Sequence, residues 1–78
     1  MRVEARLYAQ LSAYLPSASK GNGVELILAE GATIKDLLAH LGIPDELTRS
    51  SICLINGEHE QPTRTLADGD AVYILPPI

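Results

Sequence analysis

The stretch that most constrains this chain is its C-terminal segment Leu66–Ile78, LADGDAVYILPPI. Asp68-Gly69-Asp70 predicts a turn, because Gly takes positive φ freely and Asp side chains hydrogen-bond nearby backbone. Ala71–Leu75 then reads as a short apolar strand, with Val72 and Ile74 on one face and Ala71, Tyr73 and Leu75 on the other. Pro76 and Pro77 stop it, since neither has an N–H to give to a ladder. A buried strand followed at once by a stiff, extended tail directs that tail out of the domain, towards something else.

The rest of the chain supplies the partners of that strand. Val3, Ala5 and Leu7 alternate with Arg2, Glu4, Arg6 and Tyr8, the pattern of a half-buried strand. Ala9–Leu15 carries Leu11, Tyr14 and Leu15 at helical spacing and predicts a short helix, or a turn of one, ended by Pro16. Ser17–Gly23, SASKGNG, consists of turn formers and predicts an exposed loop. Val24–Leu28 is a second strand. Thr33 is a good N-cap with Asp36 three residues on, and Ile34, Leu37, Leu38 and Leu41 form one apolar stripe. Gly42 suits the position just past the helix, and Pro44 forbids its continuation. Pro44–Arg49 predicts a helical turn and Ser51–Ile55 a third strand. Asn56-Gly57 is a hairpin signal, and the polar Glu58–Gln61, closed by Pro62, fits only a sheet edge.

Strand, strand, helix, strand, weak strand, strand, with one apolar stripe on one helix, predicts a two-layer α+β domain. The crossover after the second strand favours a first strand lying parallel to the last. The 78 residues allow one domain, 1–78, with a small core. With 46% hydrophobic and 21% charged residues, the chain is globular in composition. A net charge of −4 with scattered basic residues argues against nucleic acid and suits a basic groove on another protein. No apolar run is long enough to span a bilayer, and the charged, alternating N-terminus is unlike a signal peptide, so a cytoplasmic protein is expected.

Chemistry-bearing residues are few. Cys53 lies mid-strand with no His near it in sequence and reads as a small buried hydrophobe. His40 falls in the last turn of the main helix, and His59 in the polar edge segment; they are not spaced as a metal pair. Glu58, Glu60, Asp68 and Asp70 match no calcium loop. No nucleophile–base arrangement is present, so neither an enzyme active site nor a cofactor is predicted. Tyr8, Tyr73 and Leu75 share the sheet face opposite the helix if the first and last strands pair, and an apolar face beside an emerging tail predicts a partner-binding site. Pro76, Pro77 and Ile78 complete it.

Several segments, in order and over almost the full length, resemble the MoaD/ThiS family of ubiquitin-like sulfur carriers, with the molybdopterin-synthase small subunit the nearer match. They are Val3–Leu11, Glu30-Gly31-Ala32-Thr33-Ile34 with Asp36-Leu37-Leu38, Ile55-Asn56-Gly57, and Leu66-x-Asp68-Gly69-Asp70-x-Val72 running into Leu75-Pro76-Pro77-Ile78. The resemblance implies a ubiquitin-like β-grasp, with a mixed sheet of four to five strands and one main helix across one face. It implies a role in sulfur transfer or in cofactor biosynthesis of the molybdopterin or thiamine type. The implied partner is a protein, either an E1-like adenylyltransferase or a large subunit of the molybdopterin-synthase type.

Two departures qualify the resemblance. The family's tail ends in Gly-Gly, whose last carboxylate becomes a thiocarboxylate, whereas this sequence stops at Ile78. A glycine tail threads a narrow channel that any Cβ would obstruct, so the residues present predict docking without the covalent step. Glu58-His59-Glu60-Gln61 also replaces more apolar strand residues. The alternative is a ubiquitin-like binding or structural subunit unrelated to sulfur.

Overall fold

The computed structural model describes residues 1–17 and 19–77; the expectation for Ile78 lies outside the described residues. Five strands form one sheet: β1 (Arg2–Leu7), β2 (Gly23–Ile27), β3 (Ile52–Ile55), β4 (Glu58–Glu60) and β5 (Ala71–Leu75). Their order is β2-β1-β5-β3-β4. Only β1 and β5 run parallel, with Ala5 opposite Val72 and Leu7 opposite Ile74. The other pairs are antiparallel. The chain's last strand is therefore the middle of its sheet, the mixed α+β arrangement of a β-grasp.

Alternation decides the two faces. Val3, Ala5, Leu7, Cys53, Ile55, Val72 and Ile74 point inward and are at most 1% exposed. They meet Ile34, Leu37 and Leu38 of helix α1 (Ile34–His40), each fully buried. Leu11, Leu26, Leu28, Ile43 and Leu66 close the rim of this core.

Both ends of α1 are built as the sequence predicts. Thr33 Oγ1 accepts from the Asp36 N–H at 3.2 Å, and the Thr33 N–H donates to Asp36 Oδ2 at 2.9 Å, a reciprocal capping box. At the other end Gly42 takes φ +81° and donates to Ala39 O, while Ile43 donates to Leu38 O. That is a Schellman motif, which needs a left-handed residue where Gly42 stands. Helix α2 (Asp45–Ser50) follows as one short element.

The DGD segment is a clasp between the last strand and the first. Asp68 Oδ1 accepts from the Arg2 N–H at 2.7 Å, and the Gly69 N–H donates to Arg2 O at 2.7 Å. Asp70 Oδ2 accepts from the Ala67 N–H at 2.8 Å and from Arg64 at 3.2 Å. The Asp68 carboxylate thus ties this turn to the start of β1, while that of Asp70 closes the turn leading into β5. Asn56 and Gly57, at φ 55° and 80°, form the two-residue loop between β3 and β4, the doubly positive geometry for which Asn-Gly is selected.

The segment after β1 is helical and short, as expected, but not α-helical. Ala9–Tyr14 is a 3-10 helix, and Ala9 enters it at φ 52°. A left-handed residue at the first position redirects the chain sharply, so only a tight turn fits before Pro16. That conformation is costly for any residue with a Cβ.

Candidate functional site

The sheet face turned away from α1 carries the arrangement that stands out. The strand registers place Gly23, Arg6, Tyr73, Leu54 and His59 in one row across all five strands. The next row brings Leu75 opposite Ile52. Tyr8, one residue past β1, donates its N–H to Ile74 O at 3.2 Å, which holds its ring over the same face.

Tyr8 and Tyr73 lie with ring centroids 6.2 Å apart and planes 16° from parallel. Arg6 Cζ lies 5.9 Å from the Tyr73 ring centroid, and Arg6 Nη2 donates to Glu4 Oε2 at 3.1 Å. That bond to Glu4, more than any other cause, holds the Arg6 guanidinium more firmly protonated than usual. Such stacked and cation–π contacts fix ring orientation before any partner arrives.

Tyr73 is 38% exposed and Ile52 37%, while Leu54, Leu75 and Pro76 are half-buried and Pro77 is exposed. A hollow of about 280 Å³ opens beside Tyr73, lined by Leu54, Ala71 and the Asn56-Gly57 loop. The structure thus brings Tyr8, Tyr73 and Leu75 onto one face, next to Pro76 and Pro77. Arg6, Ile52 and Leu54 belong to that face and were not anticipated. The signal for Ile52 and Leu54 lay in Asn56-Gly57: once a two-residue hairpin follows Ile55, alternation sends both outward.

Of the remaining candidates Cys53 belongs to the core and the two histidines to the surface. Cys53 is a free, buried thiol, and burial pushes its pKa up, away from the reactive thiolate. His40 ends α1 and is exposed; His59 is exposed on β4. Among the described residues no three metal-ligating side chains come together. Among the described residues no helix is long and apolar enough to cross a membrane.

Comparison with known proteins names the fold and its kin. The description "Mut7-C ubiquitin" matches residues 1–78. The chain belongs to the Mut7-C ubiquitin family. Among solved structures, this Mut7-C ubiquitin domain is similar to small archaeal modifier protein 1 (SAMP1) of Haloferax volcanii, at 26% identity and TM-score 0.75. That alignment covers 100% of this chain and 97% of SAMP1.

It is also similar to a putative molybdopterin converting factor subunit 1 from Pyrococcus furiosus, at 22% identity and TM-score 0.70, covering 99% and 98% of the two chains. A third likeness, at 22% identity and TM-score 0.62, is to a protein–protein complex of subunits 1 and 2 of the molybdopterin-converting factor from Helicobacter pylori. It covers 100% of this chain and 96% of that one. No curated protein sequence matches. The domain is a ubiquitin-like β-grasp.

Proposed function

We propose that the domain works by docking, presenting its outer sheet face and C-terminal tail to a protein partner in a sulfur-transfer setting. The observation that carries this reading is the Tyr8–Tyr73 stack, fixed by Arg6 and continuous with Leu54, Leu75 and Ile52, on a face that no helix or strand among the described residues covers. Pre-oriented aromatic rings beside a hollow have the character of binding anchors, because little side-chain freedom remains to be lost on association. The hollow beside Tyr73 accepts one apolar side chain from the partner, and the Arg6–Glu4 pair forms part of the polar rim.

The partner we assign is a large subunit of the molybdopterin-converting type. The Helicobacter relative of the same fold is seen as a complex of subunits 1 and 2, which supports a subunit-sized protein as the occupant. A second reading rests on the family description, which joins ubiquitin to Mut7-C. Under it, a Mut7-C unit covers the same face with no link to sulfur. A thiocarboxylate step on this domain would require a Gly-Gly beyond Ile78 in the natural protein.

The test is calorimetric titration of the domain with the subunit-2 homologue, the E1-like enzyme and the Mut7-C protein of its own source. Submicromolar binding to the first, lost in Leu75→Glu and weakened in Tyr73→Ala, is the expected result. Binding to Mut7-C alone transfers the face to the second reading. Full-strength binding of Leu75→Glu to every partner overturns the docking face. Intact mass of the protein from its source, with or without an oxygen-to-sulfur increment, decides the covalent step separately.

A further inference from the structure

The sheet has two open edges, β2 and β4, and only one of them is guarded. On β4, Glu60 stands opposite Cys53, on the core side of the sheet, and pairs with Arg64 at 3.4 Å; Glu58 and His59 flank it. An inward charge on a three-residue edge strand is a known device against strand addition. β2 is five residues long and carries Ile27, at 68% the most exposed large apolar residue among the described residues.

The hydrogen-bond phase of β2 shows which groups are left over. Met1 N donates to Leu28 O at 2.7 Å, and Leu28 N donates to Met1 O at 2.9 Å, so Met1 and Leu28 are a hydrogen-bonded pair. Antiparallel pairs alternate, which makes Val3–Leu26 and Ala5–Val24 bonded pairs and leaves Arg2–Ile27 and Glu4–Glu25 as the wide ones. The N–H and C=O of Glu25 and Ile27 therefore point away from β1, to the open edge. Beyond them, Gly23 is already closed off by its exchange of bonds with Lys20.

We propose that this edge pairs with the same edge of a second copy, giving a two-fold dimer with a continuous sheet. The spacing of the free groups selects one register. With Leu26 facing Leu26 of the second copy, Glu25 falls opposite the second copy's Ile27, and Ile27 opposite its Glu25. All four free groups of each strand segment then find partners.

This register also avoids the obvious electrostatic penalty, because Glu25 meets an apolar side chain rather than another Glu25. The Arg2 of the second copy stands beside that Ile27, two strand spacings of about 4.8 Å from Glu25, within reach of an arginine side chain. Arg2 already pairs with Glu25 at 3.3 Å within one copy, so each Glu25 lies between an Arg2 of its own copy and the Arg2 beyond the second copy's Ile27. The interface is small, so the dimer is weak and transient. It leaves the Tyr8–Tyr73 face open on both copies and is independent of the docking reading.

The register makes a charge-specific test possible. Ile27→Lys places Lys opposite Glu25 twice per dimer, and Ile27→Glu places Glu opposite Glu25 twice. Sedimentation equilibrium up to millimolar protein at low salt should show a concentration-dependent dimer for the unaltered domain. The dimer dissociation constant should be at least about tenfold weaker in Ile27→Glu than in Ile27→Lys, since opposed like charges on paired strands repel while unlike charges attract. Added salt should narrow that gap.

Amide exchange gives a second reading that needs no variant: the Glu25 and Ile27 N–H groups should slow as concentration rises, while His59 on β4 stays fast. A domain that remains monomeric at millimolar concentration overturns the proposal. Equal weakening by Lys and Glu, or slowing at β4 instead of β2, overturns it as well.

Discussion

Ile74 and Tyr73 are neighbours on β5, yet one is fully buried and the other 38% exposed. The same contrast holds along β1, where Leu7 is enclosed beneath α1 and Arg6 lies over the Tyr73 ring. The centre of the inner face is a mosaic of aliphatic side chains around the Cys53 thiol, with its one paired carboxylate, Glu60, out on the edge strand. The outer face holds rings, an arginine and a carboxylate whose positions are set by one another. What differs is the source of order: packing against a helix on one side, mutual side-chain contact on the other. A strand two residues wide in its repeat can therefore support stability and recognition at once, with little trade between them.

The largest expected effect breaks the inner face. Ile74→Ala should cost about 2–5 kcal/mol of unfolding free energy in urea melts, the range for emptying a buried aliphatic site. Tyr73→Ala, one residue away, should cost about 1 kcal/mol while weakening partner binding far more. Equal losses of stability from the two would erase the distinction between the faces. Next in size is the clasp. Asp70→Ala removes two accepted hydrogen bonds, from the Ala67 N–H and from Arg64, and should cost about 1–2 kcal/mol by the same melts.

A smaller effect sharpens the comparison at the end of the outer face. Ala9→Gly relieves a left-handed alanine and should raise stability by about 1 kcal/mol. If the strained turn also positions Tyr8, the same variant should loosen the Tyr8 ring, read by NMR as averaging of its aromatic shifts.

The last prediction concerns Cys53, the one titratable side chain in the core strand β3. Its folded pKa lies above its unfolded value, so the neutral thiol is what the native state favours. The associated stability is fully present below the ordinary thiol pKa of about 8.5 and is lost as pH rises through the folded pKa. The difference in stability between the unaltered domain and Cys53→Ala should therefore be flat to about pH 8 and shrink above it. The thiol should also resist alkylation until the domain unfolds.

The inner face was legible because period-two alternation writes it directly into Val3–Leu7, Cys53–Ile55 and Val72–Ile74. The ends of α1 were legible for a similar reason: Thr33, Asp36 and Gly42 each meet a local geometric need. The site was legible only in part. Tyr8, Tyr73 and Leu75 followed from pairing the first and last strands, but Arg6 reads in sequence as one scattered cation. Its place over Tyr73 depends on the parallel register of β1 and β5, beside which Asp68 bonds to Arg2 across most of the chain's length. The short helix after β1 was legible, but its 3-10 form was hidden because Ala gives no sign of a positive φ.

The central place of β5 has a bearing on how this domain comes into being. β1 with β2 and β3 with β4 are local hairpin-like halves, but they touch across the sheet only through the strand made last of the five. During synthesis neither half has the other to lean on until Ala71–Leu75 leaves the ribosome, when both join in a single step. A nascent chain stopped before Ala71 should therefore be open to proteases along its whole length, and a few more residues should close it everywhere at once.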